Sequence, residues 1–306
     1  MRRFLLYVHT GRRAALQAML SVLEELRLRN VRAVVVEDQV NEILALPEDV
    51  APPKLLTFLT NGAVDVIDAV AAGDLVELGI LRALEAVRAA DVPVHGVNLG
   101  HVGFLAESEV EDLSITVSRL LDRDYEVEQR STLEITVLDA EDEVLAQHWA
   151  LNEASLEKAD RKKMINVAIE IDGRPVSSFG ADGVLLSTPT GSTAYAFSAG
   201  GPVIWPEVDA MMLIPLAAHA LFARPLVLGR SSEAAVEMTL DNRDDAILIL
   251  DGRRGADITA GMRVEARLSP QSVRLARLAP TPFADRLVEK FQLPVVGWRG
   301  RGPRTR

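Results

Sequence analysis

Residues 4–36 read FLLYVHTGRRAALQAMLSVLEELRLRNVRAVVV, and this stretch decides the fold of the first part of the chain. The short apolar runs at 4–8 and 31–36 are typical of buried strands. Between them, apolar residues recur at the three- and four-residue spacing of an amphipathic helix: Leu16, Met19, Leu20, Leu23 and Leu26. A strand, a helix and a strand in this order form a βαβ unit, which predicts a parallel sheet.

The same order recurs over residues 79–98, where a predicted helix is followed by a buried strand that ends at Asn98. One face of that helix is apolar, formed by Leu81, Leu84 and Val87. Residues 41–73 lie between the two units, are acidic at first and then carry several prolines. We predict only a loop and a short element there.

After about residue 108 the pattern changes to short segments of alternating polarity bounded by turn dipeptides, which is typical of an all-β domain. The predicted strands cover residues 133–138, 144–149, 165–171, 236–240, 247–250, 262–268 and 273–278. Asp172-Gly173 predicts a tight hairpin, and Asp251-Gly252 is a second candidate. From Pro282 onwards helical spacing returns. We therefore predict an α/β N-terminal domain with a parallel sheet, a central all-β domain, and a C-terminal helix that returns to the first domain.

The composition limits the classes of protein that the chain can belong to. Its 306 residues carry a net charge of −11, which fits two domains and disfavours a nucleic-acid binder. The absence of cysteine excludes a disulfide scaffold, a thiolate nucleophile and cysteine-ligated metals, and it fits a cytoplasmic protein. The histidine spacing predicts no metal cage. The longest apolar stretch, 211–228, is broken by Pro215, His219 and Arg224, so we predict no membrane partner.

Three segments carry candidate chemistry. Residues 98–107, NLGHVGFLAE, follow a buried strand and hold two glycines that either admit a ligand close to the backbone or make a tight turn. Residues 187–202, STPTGSTAYAFSAGGP, combine six Ser or Thr hydroxyls with three glycines. They suit hydrogen bonds to sugars and phosphates, with a long structural loop as the alternative. Asn152-Glu153 can grip the two hydroxyls of a ribose, or form a plain strand-end turn.

In this order and spacing, the three segments resemble the NAD kinase family. The resemblance extends to residues 4–12, 214–225, 251–254 and 283–300. It implies a nucleotide-binding α/β domain over 1–107, completed by 280–306, and an all-β NAD-binding domain over 108–279. It also implies phosphoryl transfer from ATP or polyphosphate to the adenosine-ribose 2′-hydroxyl of NAD. Mg²⁺ or another divalent cation would assist, in a homodimer or homotetramer.

The resemblance also implies roles for individual residues. Asn152 and Glu153 would hold the adenosine ribose, and no residue is assigned to the metal. The dinucleotide pocket would be lined by Asp182, Thr193, Ala194 and Tyr195. Four more residues stand where the family contacts its ligands: Arg82, Lys163, Ser198 and Arg253.

One motif of the family is absent. Its first-domain strand ends in Leu-Gly-Gly-Asp-Gly-Thr, where the Asp serves as the base and the glycines cradle phosphate. Here residues 75–79 read LVELG and Gly79 runs directly into Ile80, so the catalytic residue is unassigned. The first hypothesis is an NAD kinase. The alternatives are a catalytically impaired member that binds a dinucleotide as a sensor or hetero-oligomer subunit, and a sequence that is incomplete at Gly79.

Overall fold

A computed structural model of the chain describes residues 3–47, 49–67, 75–77, 80–98, 103–279 and 281–295. The chain divides into two compact units, one formed by Met1–Gln129 with Val273–Arg306 and the other by Arg130–Ser272. Each unit has its own hydrophobic core.

The helices and strands alternate in the first unit, whereas the second unit is built mainly from strands. Up to residue 130 the elements are β1 (Arg3–Leu6), α1 (Arg13–Leu28), β2 (Arg32–Val36), α2 (Glu37–Leu44), α3 (Pro53–Thr60), β3 (Val64–Ile67), β4 (Leu75–Glu77), α4 (Ile80–Val87), β5 (Val94–His95), β6 (Val97–Asn98), β7 (Ser108–Glu109), α5 (Leu113–Asp122) and β8 (Glu126–Arg130). The following strands are β9 (Leu133–Leu138), β10 (Val144–Ala150), β11 (Glu153–Lys158), β12 (Ile165–Ile171), β13 (Arg174–Ala181) and β14 (Gly183–Ser187). After the short helix α6 (Tyr195–Ser198) come β15 (Ala210–Leu216), β16 (Leu226–Gly229), β17 (Glu233–Met238), β18 (Ala246–Leu250), β19 (Arg254–Ile258), β20 (Arg263–Leu268), β21 (Val273–Arg277) and α7 (Phe283–Phe291).

The first unit is organised around a seven-stranded sheet in the order β3-β2-β1-β4-β5-β21-β8. The pairings from β3 through to β21 are parallel, which confirms the predicted parallel sheet. The chain leaves β1 towards β2 and β3 on one side and returns to β4 and β5 on the other. The carboxyl ends of β1 and β4 therefore flank the position where the strand order reverses, which is where open α/β sheets bind ligands.

The predicted helix of the first βαβ unit is confirmed as α1. Its buried face includes Leu16, Met19, Leu23 and Leu26, all with at most 2% of their surface exposed. The prediction for residues 41–73 was wrong, because this stretch holds part of α2, all of α3 and the strand β3. Pro53 is the first residue of α3, a position where the missing N–H of proline costs no helical hydrogen bond.

The unit boundaries differ from those predicted at 107/108 and 279/280. Helix α5 buries Leu113, Val117 and Leu120 in the same core as α1, so it stays in the first unit. Strand β21 lies between β5 and β8 in the seven-stranded sheet, so it also belongs to the first unit.

The C-terminal helix α7 packs on the first unit, as predicted. The ring of Phe104 lies 5.4 Å from that of Phe283 and 6.1 Å from that of Phe291. Arg286 of the same helix donates to the Phe104 carbonyl at 3.0 Å. None of the helices in the described part of the chain is long and apolar enough to cross a membrane.

The second unit consists of two six-stranded antiparallel sheets, which confirms the predicted all-β domain. Sheet I has the order β10-β9-β20-β17-β12-β13, and sheet II has the order β16-β15-β14-β11-β18-β19. Apolar side chains from one face of each sheet form a shared core. Both predicted hairpin turns are present, with positive φ at Asp172 and Gly173 and at Asp251 and Gly252.

Sheet II is covered on its other face as well, along β14 and β15. There Leu185, Met212 and Ile214 pack against Ala196 and Ile204 of the hydroxyl-rich segment and its continuation. The alternation of strand residues thus places that segment over the face of sheet II that points away from sheet I.

Candidate functional site

The turn between β10 and β11 presents Asn152 and Glu153, and its backbone is fully hydrogen-bonded. The amides of Leu151, Asn152 and Glu153 all donate to the Asp251 carboxylate, at 3.0, 2.7 and 3.4 Å. In return, the Asp251 amide donates to the Glu153 carbonyl at 2.9 Å. The remaining carbonyls, those of Leu151 and Asn152, accept from Thr188. Because the six backbone groups are occupied, the side chains of Asn152 and Glu153 are available for other partners.

Asp251 is itself buried and held by an arginine. The Arg254 guanidinium donates to Asp251 Oδ2 and to the Trp149 carbonyl, both at 2.9 Å. The carbon of that guanidinium lies 4.9 Å from the centre of the Trp149 ring, a cation–π contact. Strand β19 is thereby tied to the end of β10.

Glu153 is the most unusual carboxylate of the second unit. The residue is 7% exposed, and its Oε2 atom is buried without a hydrogen-bond partner. Burial and then the charge of Asp251 raise the pKa of Glu153 to about 7, while a hydrogen bond from the Tyr195 amide opposes the rise. A buried acceptor atom of this kind is suited to a ligand hydroxyl.

In the hydroxyl-rich segment 187–202, three of the hydroxyls bind the protein's own backbone. Ser187, Thr188 and Ser192 are fully buried, and their hydroxyls donate to backbone carbonyls of the turn at Asn152 or of the segment itself. These three hydroxyls therefore shape the site and are not free for a sugar or phosphate. Part of the hydroxyl content of the segment is used in this way because the segment must satisfy its own buried backbone.

Gly191 brings the segment against the turn. A Cβ atom at this position would lie 2.0 Å from the Asn152 carbonyl oxygen and 2.5 Å from Ser187 Oγ. No residue with a side chain fits there without displacing the backbone.

The predicted pocket residues occupy the accessible part of the same segment. Thr193 and Ala194 are half-buried, whereas Tyr195 and Ser198 are exposed. Burial raises the pKa of the Tyr195 phenol, and the charges of Glu157, Glu153 and Asp182 raise it further. Tyr195 therefore lies close to Glu153 and Glu157 of β11 and to Asp182, which directly precedes β14.

Asp182 and Lys163 lie towards the far end of β11. Asp182 pairs with Lys158, the last residue of that strand, and accepts the Lys158 amide at its own carbonyl. Lys163 follows in the next turn and binds both oxygens of Asp244, at 2.7 and 2.8 Å, which raises the pKa of the lysine. Glu153 and Lys158 are separated by the length of β11, about 17 Å. Within the second unit, Lys163 is therefore remote from the turn at Asn152.

Arg253 and Arg82 are placed in different surroundings. Arg253 is exposed in the β18–β19 turn, directly after Asp251 and Gly252. Arg82 belongs to α4 in the first unit and forms an ion pair with Glu42 at 3.5 Å.

The loop after β1 is fixed by α2 at the edge where the sheet reverses its order. The side-chain amide of Gln39 exchanges two hydrogen bonds with the backbone of Val8, at 2.8 and 2.6 Å. Thr10 donates to Glu42, the partner of Arg82, at 2.8 Å. The loop after β1 and the first helix after β4 are thus linked through one carboxylate.

Two sequence predictions fall partly or wholly outside the described residues. Leu78 and Gly79, where the resemblance predicts a missing motif, lie outside them, and so do residues 99–102 of the glycine-containing segment. Of the rest of that segment, the Phe104 and Leu105 carbonyls accept from Arg277, a buried arginine that also pairs with Glu128.

From the sequence, Asp251 is a candidate hairpin residue and lies with Arg254 in a segment that resembles the family, but no role is predicted for either side chain. The Asp251-Gly252 dipeptide is the local signal of a hairpin. The hydrogen bonds of the Asp251 carboxylate span about a hundred residues of sequence, so no local pattern could reveal them.

Within the described ranges, no group of three or more His, Asp or Glu side chains could hold a metal ion. A protein cage for Mg²⁺ therefore does not fit these residues. In phosphoryl-transfer sites Mg²⁺ commonly keeps its waters and binds through substrate phosphates and one or two carboxylates.

These features define the class of the protein: a parallel α/β unit with a strand-order reversal, joined to a β-sandwich that presents one amide and one buried carboxylate. Family models for the ATP-NAD kinase N-terminal and C-terminal domains match residues 4–125 and 151–278. The chain belongs to the NAD kinase family, which confirms the resemblance and makes it a phosphotransferase.

Relatives with curated functions and solved structures agree with this assignment. The NAD kinase of Leifsonia xyli subsp. xyli is 52% identical over 98% of this chain and 97% of its own length. That of Thermobifida fusca is 48% identical over 98% and 92%.

Two solved structures share the fold. The yeast NADH kinase complexed with NADH has a TM-score of 0.82 and 21% identity, covering 100% of this chain and 90% of its own. The NAD kinase of Archaeoglobus fulgidus in complex with ATP has a TM-score of 0.65 and 23% identity, covering 95% and 98%.

Proposed function

We propose that the chain transfers the terminal phosphoryl group of ATP to the 2′-hydroxyl of the adenosine ribose of NAD, giving NADP. Beyond membership of the family, one observation carries this proposal. The turn between β10 and β11 holds a buried Glu153 oxygen without a hydrogen-bond partner, and Asn152 directly precedes Glu153 in the sequence. A ribose presents two neighbouring hydroxyls that each donate and accept, and a carboxylate beside an amide complements such a pair.

The other predicted residues have roles that suit their exposure. The ring of Tyr195 offers a flat apolar face to a base. Thr193, Ala194 and Ser198 belong to the same accessible part of the segment 187–202. Arg82, Lys163 and Arg253 supply positive charge for phosphates, and Asp182 offers an acceptor for an amino group. Arg82 and Lys163 are each paired with a carboxylate, so a ligand phosphate must compete with Glu42 and Asp244.

The catalytic base stays unassigned. Glu77 ends β4 beside β1, and Asp74 precedes it outside the described residues; neither follows the strand as the family's Asp does. The chain's own residues bind and orient the sugar, and Mg²⁺ would enter with the phosphates of ATP. Polyphosphate is the alternative donor.

The direct test is purified protein with NAD, Mg²⁺ and either ATP or polyphosphate, with NADP measured as product. NADP formation with ATP supports the proposal, and formation with polyphosphate alone would reassign the donor. Calorimetry with NAD separates the remaining outcomes. Binding without turnover supports the impaired alternative, and no binding would overturn both.

The Tyr195→Ala variant tests the pocket itself. Tyr195 is 39% exposed, so its removal leaves the core intact, and we expect at least tenfold weaker NAD binding in a folded protein. Tyr195→Phe keeps the ring and serves as the matched control. Unchanged affinity in a folded Tyr195→Ala protein would place the dinucleotide elsewhere.

We also propose that the chain forms a homodimer or homotetramer. Leu221 and Phe222 expose large apolar side chains in the loop between β15 and β16, a feature that is common at protein interfaces. Light scattering should give a multiple of 33.3 kDa. A monomer at micromolar concentration would refute this assignment.

A further inference from the structure

We propose that Asp251 is the positioning residue of the sugar site: it fixes the turn between β10 and β11 so that Asn152 and Glu153 present their side chains together. This inference rests on the proposed function, because it assumes that these two side chains bind the ribose. Asp251 itself would touch no substrate and would act only through the turn.

The first support is the number of donors that Asp251 satisfies. Its two carboxylate oxygens accept from three consecutive backbone amides and from the Arg254 guanidinium. Only an ionised carboxylate has acceptor capacity on both oxygens for four donors. An asparagine would turn an NH₂ group either towards the Leu151 amide and Arg254, which share Oδ2, or towards the Asn152 and Glu153 amides, which share Oδ1; in both cases a donor meets donors.

The second support is that the turn is held from two sides. The Asp251 carboxylate accepts hydrogen bonds from the amides of the turn. Thr188 and Ser187, from the opposite segment, donate to its Leu151 and Asn152 carbonyls. Without the Asp251 carboxylate the three amides would lose their acceptor, and only the hydrogen bonds to the carbonyls of the turn would remain. The Asn152 and Glu153 side chains would then no longer be fixed relative to each other.

The third support is that Arg254 fixes the position of the Asp251 carboxylate. The guanidinium joins the carboxylate to the Trp149 carbonyl and lies over the Trp149 ring, so it holds the end of β10. The side chain of Asp251 is 4% exposed and that of Arg254 is 24% exposed, so water screens this ion pair little.

Asp251 also acts on Glu153 through its charge. Burial raises the pKa of Glu153 most, the Asp251 carboxylate from the β18–β19 turn raises it further, and a hydrogen bond from the Tyr195 amide lowers it; the Tyr195 phenol is also near enough to feel the charge of Glu153. Removal of the Asp251 charge should therefore move the protonation of Glu153 to lower pH. A residue that only stabilised the fold would not move this midpoint.

The experiment compares NAD binding by calorimetry between pH 5.5 and 8.5 in the native chain and in Asp251→Asn. We expect at least tenfold weaker binding at pH 8, and a pH midpoint for binding that moves to lower pH. Asp257→Asn is the matched control, because it is exposed on the same hairpin and should change neither quantity. A folded Asp251→Asn protein with unchanged affinity and unchanged midpoint would overturn the inference.

Two further variants keep the test decisive. If Asp251→Asn does not fold, Arg254→Lys replaces it as the test. This variant retains the positive charge but loses the planar guanidinium that orients Asp251, so we expect several-fold weaker NAD binding. Native affinity would contradict the inference. Glu153→Gln separates the two levels of the argument. If it too binds NAD normally, the proposed sugar site is wrong, whereas a loss confined to Glu153→Gln refutes only the role of Asp251.

Discussion

At Glu153 the binding function that we propose acts against the stability of the folded chain. A buried carboxylate oxygen without a hydrogen bond is unfavourable, because the ionised group has lost its water and gained no donor in return. The neighbouring charge of Asp251 adds to that cost. A ligand hydroxyl at Oε2 would restore the missing donor, so the same atom that weakens the folded chain is suited to binding a sugar.

The Glu153→Gln substitution should therefore stabilise the protein at high pH. The pKa of Glu153 is about 7 in the folded chain against an ordinary value of 4.5, so the folded state binds the proton more tightly than the unfolded state. Its contribution to stability is lost as the pH rises from about 4.5 to 7. At pH 8 the variant should gain up to about 3 kcal/mol in urea unfolding, and at pH 4 much less.

An exposed glutamate provides the control for this prediction. Glu143 is exposed in the turn between β9 and β10. The Glu143→Gln variant should therefore leave the urea midpoint unchanged at both pH values. Destabilisation of Glu153→Gln at pH 8 would show that its carboxylate is fully satisfied in the folded protein.

Among the structural elements, the segment 187–202 shows the limit of what composition can predict. Its hydroxyl and glycine content predicts a site-forming loop, and this stays a prediction. The sequence could not show which hydroxyls face a ligand, because partners such as the Leu151 carbonyl for Thr188 are set by packing between distant strands. The exposed residues, Tyr195 and Ser198, cannot be told from the buried ones by type alone.

Gly191→Ala tests how closely this segment must approach the turn. The added Cβ would lie 2.0 Å from a backbone oxygen, so the segment and the Asn152 turn must separate. We expect a loss of at least about 2 kcal/mol in unfolding free energy, together with weaker NAD binding. Gly229→Ala is the control, because a Cβ there meets no atom within 4 Å. Equal stability of the two variants would contradict the close contact.

The fold itself was largely predictable, since it follows from periodicity. The spacing of Leu16, Met19 and Leu23 predicts α1, and Asp172-Gly173 predicts a hairpin, because both signals are local. Helix α3 was missed because its prolines were interpreted as breaking a helix that Pro53 in fact begins. Asp251 was missed because its partners at 151–153 are distant in sequence.

The connection from β4 to α4 is where the resemblance implies that the family's base and phosphate-binding turn are missing. Strand β4 ends at Glu77 and α4 begins at Ile80, so only two residues join them. Insertion of Gly-Asp-Gly-Thr between Gly79 and Ile80 should raise the turnover of NAD by at least about 10²-fold, since it supplies a base and a phosphate-binding turn. Insertion of Gly-Asn-Gly-Thr is the matched control and should recover less. Equal rates for the native and inserted chains would show that the native chain uses another base.

For the molecule as a whole, the net charge of −11 opposes the approach of anionic substrates. Positive charge is present locally, but Arg82 and Lys163 are already paired with carboxylates. Long-range repulsion and short-range attraction thus act on the same ligand at different distances. The Debye length separates them, because it is about 30 Å at 0.01 M salt and about 10 Å at 0.1 M.

Added salt should therefore speed the association of NAD at low ionic strength. Between about 0.01 and 0.1 M salt the screening of the overall negative field removes the long-range repulsion, while contacts within a few ångströms are screened much less. Stopped-flow fluorescence should show an association rate that rises over this range and a dissociation rate that changes little. An association rate that falls with salt would mean that a local cluster of cations steers the ligand and that the overall charge does not govern its approach.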